Sequence, residues 1–277
     1  EKASEKTLIN TERMIENKPL VFTKRDANTV LYSVQVNSRS YTNDVKQTVT
    51  IRMAKNGSMN ILIHIFSQEI PIFILIRALG IESDYDIINY VSLDKNDIDM
   101  INIINLSLEN CKDDNGVKIL TQEQAITYLV TKVKVSKRVR YNETDKEIKN
   151  QEKKLYLKHL LNYNFLPHID NNAINKGYYV CYMIHRLLQC YLKRIEIDDR
   201  DSLVNKRIDL PGTLMFELFK QAYKKMLNEC TRFFKKRNTN DDDPFNIINQ
   251  IKPNTIEQAV KTGLLTGSWD KKKGVAQ

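Results

Sequence analysis

The spacing of apolar residues changes character near Pro71. Upstream of it, TVLYSVQV (29–36) and QTVTIRMA (47–54) alternate apolar and polar positions over part of their length, the period of a half-buried strand. PLVFTK (19–24) is short and apolar, and MNILIHIF (59–66) follows KNGS (55–58), whose Asn-Gly pair is a hairpin signal. Residues up to 66 therefore predict β-structure, with 59–66 returning against 47–54.

Downstream the period becomes helical. Pro71 suits a first helical turn and Gly80 suits its end, so IFILIRAL (72–79) predicts a helix, apolar on most sides and hence buried. Further helices are predicted over 84–91, 97–110 and 121–132, the last opened by a capping box of Thr121 and Gln124. Residues 132–158 are basic with few apolar anchors and predict an exposed connection that becomes helical, ending before Pro167. Residues 176–194 place Tyr179, Val180, Met183, Ile184, Leu187, Leu188 and Tyr191 on one stripe. A long helix over 212–237 carries Met215, Leu218, Phe219, Ala222, Met226, Cys230 and Phe233 on one face, and Lys220, Lys224, Arg232, Lys235, Lys236 and Arg237 over much of the rest. A short helix over 255–265 closes the series. Strands followed by helices, with no internal repeat, predict an α+β protein.

Composition adds three constraints. The 277 residues suffice for one large domain or two modest ones, and a 42% hydrophobic content supports a real core. A net charge of +9 fits a polyanionic partner, and equally an ordinary basic protein rich in Lys, Asn and Ile. Cys111, Cys181, Cys190 and Cys230 lack C-x-x-C spacing, which points to free thiols and a reducing, intracellular compartment. The longest apolar run, IPIFILI, is too short to cross a bilayer, and EKASEKTLIN has no apolar signal region.

The densest chemistry lies in EIDDRDSLVNKRIDLPG (196–212). Asp198, Asp199 and Asp201 could ligate a divalent ion, but Arg200, Lys206 and Arg207 are interleaved with them and favour charge pairing. No Gly-rich phosphate loop, H-E-x-x-H, G-x-S-x-G or S-x-x-K accompanies them, and His64, His159, His168 and His185 stand outside any such motif. Hence no catalytic residue and no metal ligand is assigned. Arg138 and Arg140 beside Tyr141 suit weak, sequence-independent contact with phosphates plus base stacking, or else a solvated loop.

Ordered stretches of the chain resemble one family. SEKTLINTERMIENKPLVF, IPIFILIRALGIESDYDII, FLPHI, GYYVCYMIHRLLQCYL, DDRDSLVNKRIDLPGTLMFELFK and LLTGSWDKKKGVAQ are similar, in order, to segments of the second-largest subunit of multisubunit DNA-directed RNA polymerases, of eukaryotic, archaeal or large-DNA-virus type. The chain departs from the family pattern at Glu69, His185, Ser202 and Val204. The resemblance implies a mixed lobe domain (26–209) inserted in a protrusion domain, of which 1–25 and 210–277 would be parts, the second stopping before the fork. It also implies a looser, incompletely covered pair of chain ends.

The function so implied is scaffold and DNA-cleft wall in a nucleotidyltransferase whose magnesium is bound elsewhere, with no cofactor in this segment. The partners implied are the largest and other polymerase subunits, the remainder of the second-largest subunit, the DNA template and general transcription factors on the lobe, with no membrane. Localisation would be the nucleus, a cytoplasmic virus factory or a virion. Lys271, Lys272 and Lys273 join Arg138 and Arg140 as nucleic-acid-facing candidates. A free-standing basic nucleic-acid-binding protein is the alternative.

Overall fold

The structure, a computed structural model, describes residues 5, 7–23, 30–42, 45–114, 116–134, 146–236 and 251–267. They fall in two compact units, one running from Met14 to Asn205 and the other formed by the chain ends, up to Arg13 and from Lys206.

The larger unit is built on a five-stranded antiparallel sheet ordered β2-β3-β4-β5-β6, from Leu20–Thr23, Val30–Arg39, Lys46–Ala54, Met59–Ile63 and Ile70–Pro71. The alternation read in the sequence sets its inner face: Val34, Val36, Val49, Ile51, Met53, Met59, Ile61 and Ile63 are all buried. Cross-strand partners Val34–Ile51 and Ile51–Ile61 stack these residues in register. The Asn-Gly turn joins β4 to β5, with Gly57 at φ +79 and Asn56 accepting from Ser58. Asn17, at φ +61, receives the Arg39 amide on its side chain and donates its own amide to Asn37, so the approach to β2 is laid along β3.

Helices pack against that inner face. Every residue of α1 (Ile72–Ala78) is buried, and Gly80, at φ +108, turns the chain out of it. α2 (Asp84–Ser92), α3 (Ile98–Glu109) and α4 (Gln122–Lys132) open with side-chain caps from Ser83, Asp97 and Thr121, and the Thr121–Gln124 capping box forms in full. α5 (Lys146–Tyr163) ends before Pro167, as the proline predicts. α6 (Ala173–Tyr191) starts three residues ahead of the expected 176, because Asn172 caps it. Its stripe of Val180, Met183, Ile184, Leu187 and Leu188 is fully buried, and Tyr191 meets Tyr32 edge to face with centroids 5.5 Å apart.

In the other unit, β1 (Thr11–Met14) pairs with β7 (Lys206–Asp209), two short polar strands that the apolar pattern did not announce. The single-turn 3-10 segment Leu203–Asn205 precedes β7. α7 (Pro211–Lys236) packs against α8 (Pro253–Thr266), where Leu218 seats over Gly263 so closely that a Cβ there would lie 2.9 Å from it. The buried stripe of α7 is narrower than expected: Leu218, Ala222 and Met226 are covered, while Phe219 and Phe233 are 48% and 42% exposed. An i, i+4 step keeps the three covered residues on one line, and one short neighbouring helix covers only that line.

The contact boundaries, Met14 and Asn205, lie ahead of the expected 26 and 209. β2 belongs to the five-stranded sheet and so joins the larger unit.

Candidate functional site

The acid-rich turn after α6 is a structural anchor. Asp198 receives Arg186 Nη2 on both carboxylate oxygens at 3.0 Å, accepts the Val21 amide at 2.8 Å and donates its own amide to Val21 O. It thereby adds to the free edge of β2 and ties that edge to α6. Asp199 closes a local turn by accepting the Asp201 amide at 2.9 Å, and its carbonyl receives Asn205 Nδ2 at 2.9 Å. Lys18 reaches Asn205 Oδ1 at 3.2 Å, and Ile15 donates to Asn205 O.

The expected partner of Asp198 and the expected role of Arg200 need correction. The base that holds Asp198 is Arg186, one helix back, because α6 points its guanidinium at the turn. Arg200 lies over the Phe22 ring, 3.9 Å from its centroid, a cation–π contact in place of an ion pair. Lys206 Nζ binds Glu12 at 2.8 Å, and Arg207 donates to Lys206 O. Beside them, Arg13 binds Asp209 at 2.9 Å across the β1–β7 pair. Among the described residues no group of three or more His, Cys, Asp or Glu could hold a metal ion.

Two other charged groups are buried, and sequence reasoning did not single them out. Lys176, fully buried, donates to Leu161 O, Asn162 O and Phe165 O at 2.9, 2.5 and 2.6 Å, capping the end of α5. Burial draws its pKa down to about 8. Arg77 donates to Ile119 O and to Asp84, joining α1 to the segment before α4 and to α2. A lysine or arginine inside a helical apolar stripe was the available signal.

FLPHI now has a physical reading. Phe165 and Leu166 are buried, Leu166 adopts φ +44, and the Phe165 carbonyl is one of the Lys176 acceptors. His168 Nδ1 lies 2.6 Å from Ser38 Oγ of β3. Burial, and then the Lys176 charge, lower the His168 pKa and favour the neutral ring in this contact.

The cysteines carry no paired chemistry. All four are free, with Cys111, Cys181 and Cys190 buried, and burial raises the Cys181 thiol to about 12 and the Cys111 thiol to about 11.

Arg138, Arg140, Lys271, Lys272 and Lys273 lie outside the described residues. Among the described surfaces that mix bases with aromatic rings, α7 carries the longest row. There Phe216, Phe219, Tyr223 and Phe234 are 42–61% exposed, and the Lys220 ammonium lies 5.7 Å from the Phe216 ring centroid.

Comparison with known proteins locates this arrangement. The family model described as RNA polymerase Rpb2, domain 2, matches residues 15–209, close to the larger compact unit. The chain belongs to this family. DNA-directed RNA polymerase subunit 2 of Acanthamoeba polyphaga mimivirus is 39% identical over 99% of the chain and 24% of its own length. DNA-directed RNA polymerase II subunit 2 of Arabidopsis thaliana is 34% identical over 96% of the chain and 22% of its length. DNA-directed RNA polymerase subunit Rpo2 of Saccharolobus solfataricus is 28% identical, again over 96% and 22%. The chain thus spans under a quarter of the length of these relatives.

In this Rpb2 domain 2 the positions that depart from the family pattern keep ordinary contacts. Glu69 pairs with Arg52, and His185 Nδ1 lies 2.7 Å from Val91 O. Val204 is 70% exposed. Charged anchors hold several of the stretches that carried the resemblance: Arg186 binds the acid-rich turn, Lys176 binds FLPHI, and Arg77 binds Asp84.

Proposed function

We propose that the chain acts as a scaffold and cleft-wall element of a multisubunit DNA-directed RNA polymerase, with no catalytic group of its own. The observation that carries this reading is the match of the domain-2 model over residues 15–209, together with polymerase relatives aligned along 96–99% of the chain. In this reading the larger unit is the lobe, and the chain ends with α7 and α8 belong to the protrusion. Nucleotidyl transfer and its magnesium are left to the rest of the polymerase, and the chain needs no cofactor. Its partners are the largest and other polymerase subunits, the remainder of the second-largest subunit, template DNA and transcription factors docked on the lobe. The chain works inside the cell, in the nucleus or a virus factory, or is carried in a virion. Arg138, Arg140 and Lys271–Lys273 supply sequence-independent phosphate contacts.

Affinity purification of the tagged chain from cells that express it tests the assembly. The expected result is co-purification of the largest polymerase subunit and of template-dependent RNA synthesis. Recovery of the chain with nucleic acid alone would replace this reading with a free-standing nucleic-acid-binding protein. The Arg138→Gln/Arg140→Gln variant is expected to bind unrelated duplexes equally less well and with a flatter salt dependence. Loss confined to one sequence would contradict the phosphate role.

A further inference from the structure

The larger unit carries a groove that its own packing leaves open. It has a volume of about 490 Å³ and lies between α4 and the short hairpin that precedes it. That is within the roughly 300–1,000 Å³ of ligand-binding clefts.

Both walls are fixed. The hairpin is closed by the Lys112–Lys118 bridge, by Asp113 exchanging bonds with Val117 at 2.8 and 2.9 Å, and by Ile119 donating to Cys111 O at 3.1 Å. Arg77 holds the Ile119 carbonyl from the core side. The other wall is α4, fixed at its start by the Thr121–Gln124 capping box.

The lining combines three carboxylates, Asp113, Asp114 and Glu123, and one ammonium, Lys118, with the surface of Val117, Thr127 and Tyr128, so acids outnumber bases. These carboxylates form no group able to hold a metal ion among the described residues, and they oppose a phosphate. Their spread suits a cationic chain lying along the groove. The molecule itself shows the mode of contact. Lys132 places its ammonium 2.7 Å from Asp114 Oδ2 and 5.4 Å from the Tyr128 ring centroid, so one cation already uses a carboxylate and an aromatic face together. Glu123 is exposed on the first turn of α4, and Val117 is 61% exposed. The first supplies charge for an incoming base, the second an apolar contact beside it.

We propose that this groove docks a basic, partly apolar segment of a partner protein, with an Arg or Lys side chain set between Glu123, Asp113 and the Tyr128 ring. A charged groove on an otherwise basic chain gives such a partner orientation as well as attraction, since nucleic acid is repelled from the same spot. The inference rests on the assembly reading only for the origin of the partner; docking of the peptide is measured on the chain alone.

The test is fluorescence anisotropy of labelled eight-residue peptides with the full chain. The probes alternate Arg with Leu, Glu with Leu, or Arg with Ser. Saturable one-to-one binding of the Arg–Leu peptide is expected, weaker binding of Arg–Ser and none of Glu–Leu. Glu123→Lys should weaken the Arg–Leu peptide about tenfold, while Asp170→Lys, at an exposed acid outside the groove, should leave it unchanged. Glu123→Gln, which keeps the shape and removes only the charge, should give a smaller loss in the same direction. Equal loss from Asp170→Lys, binding of the Glu–Leu peptide, or the absence of saturation would overturn the proposal. Peptide binding with no polymerase subunit recovered from cells would leave the groove standing and refute the assembly reading instead.

Discussion

Two amphipathic helices, the second much richer in charge, make the most useful comparison. α6 and α7 both carry long apolar stripes, yet α6 buries Val180, Cys181, Met183, Ile184, Leu187 and Leu188, whereas α7 buries only Leu218, Ala222 and Met226. α6 lies in a unit with a five-stranded sheet and five other helices to cover it; among the described residues of the other unit, α7 has one short helix and a two-stranded ribbon. Phe216, Phe219, Tyr223 and Leu227 of α7 therefore remain 44–61% exposed. Scattered exposed apolar residues are ordinary, but four along one helix mark a surface that can take a partner. The difference teaches that the sequence pattern of α7 is made for more cover than the described residues supply.

The largest effect should separate the two regions by one residue type. Phe73→Ala, in fully buried α1, should cost about 3–5 kcal/mol, while Phe219→Ala on α7 should stay within about 0.5 kcal/mol. Urea unfolding of both variants checks this, and equal losses would remove the distinction.

Next comes Lys176→Met, which keeps much of the volume but leaves the carbonyls of Leu161, Asn162 and Phe165 without their donor. A loss of about 2–4 kcal/mol is expected from stranding these buried acceptors, read from the same denaturation curves. An unchanged midpoint would mean that the end of α5 finds other donors.

Asp198 and Asp199 give a smaller, sharper contrast inside one turn. Asp198→Asn weakens the double contact with Arg186 and should cost about 1–2 kcal/mol. Asp199→Asn should cost under about 0.5 kcal/mol, since the amide oxygen still accepts the Asp201 amide. A reversal of that order would show that the acids have been assigned to the wrong anchors.

The smallest effect is a pH dependence. Arg194 beside Asp97, helped by the Met100 amide, holds the Asp97 carboxyl below its usual range. A depressed folded-state pKa adds stability above the unfolded value, near pH 4, and that stability fades as pH falls through the folded value. Because the pair is largely solvent-screened, the change should be slight, and Asp97→Asn should flatten it in thermal melts taken between pH 5 and pH 3.

Much of this fold was legible in the residues. Alternation located β3 and β4, Asn-Gly gave the turn that returns β5 against β4, and Thr121 with Gln124 gave the start of α4. The strands of β1 and β7 escaped because four polar residues apiece carry no period, and their pairing joins positions almost two hundred apart in the chain. The acid-rich turn was read as charge pairs with the nearby Arg200, Lys206 and Arg207. Charge pairing was sought among neighbours in sequence, whereas Arg186 reaches Asp198 from α6 and Arg200 settles on Phe22. Buried Lys176 and Arg77 stood inside apolar stripes, but their acceptors, backbone carbonyls and for Arg77 also the Asp84 carboxylate, are not marked in the sequence. The groove beside α4 depends on a hairpin closed through the backbone, which composition does not encode.

The contrast between the self-covered unit and α7 is tested most directly by amide hydrogen exchange across the intact chain. The account predicts the slowest exchange in β3 to β5, α1 and α6, and exchange faster by orders of magnitude over the α7 segment beyond Met226. Protection of that segment equal to that of α6 would contradict it.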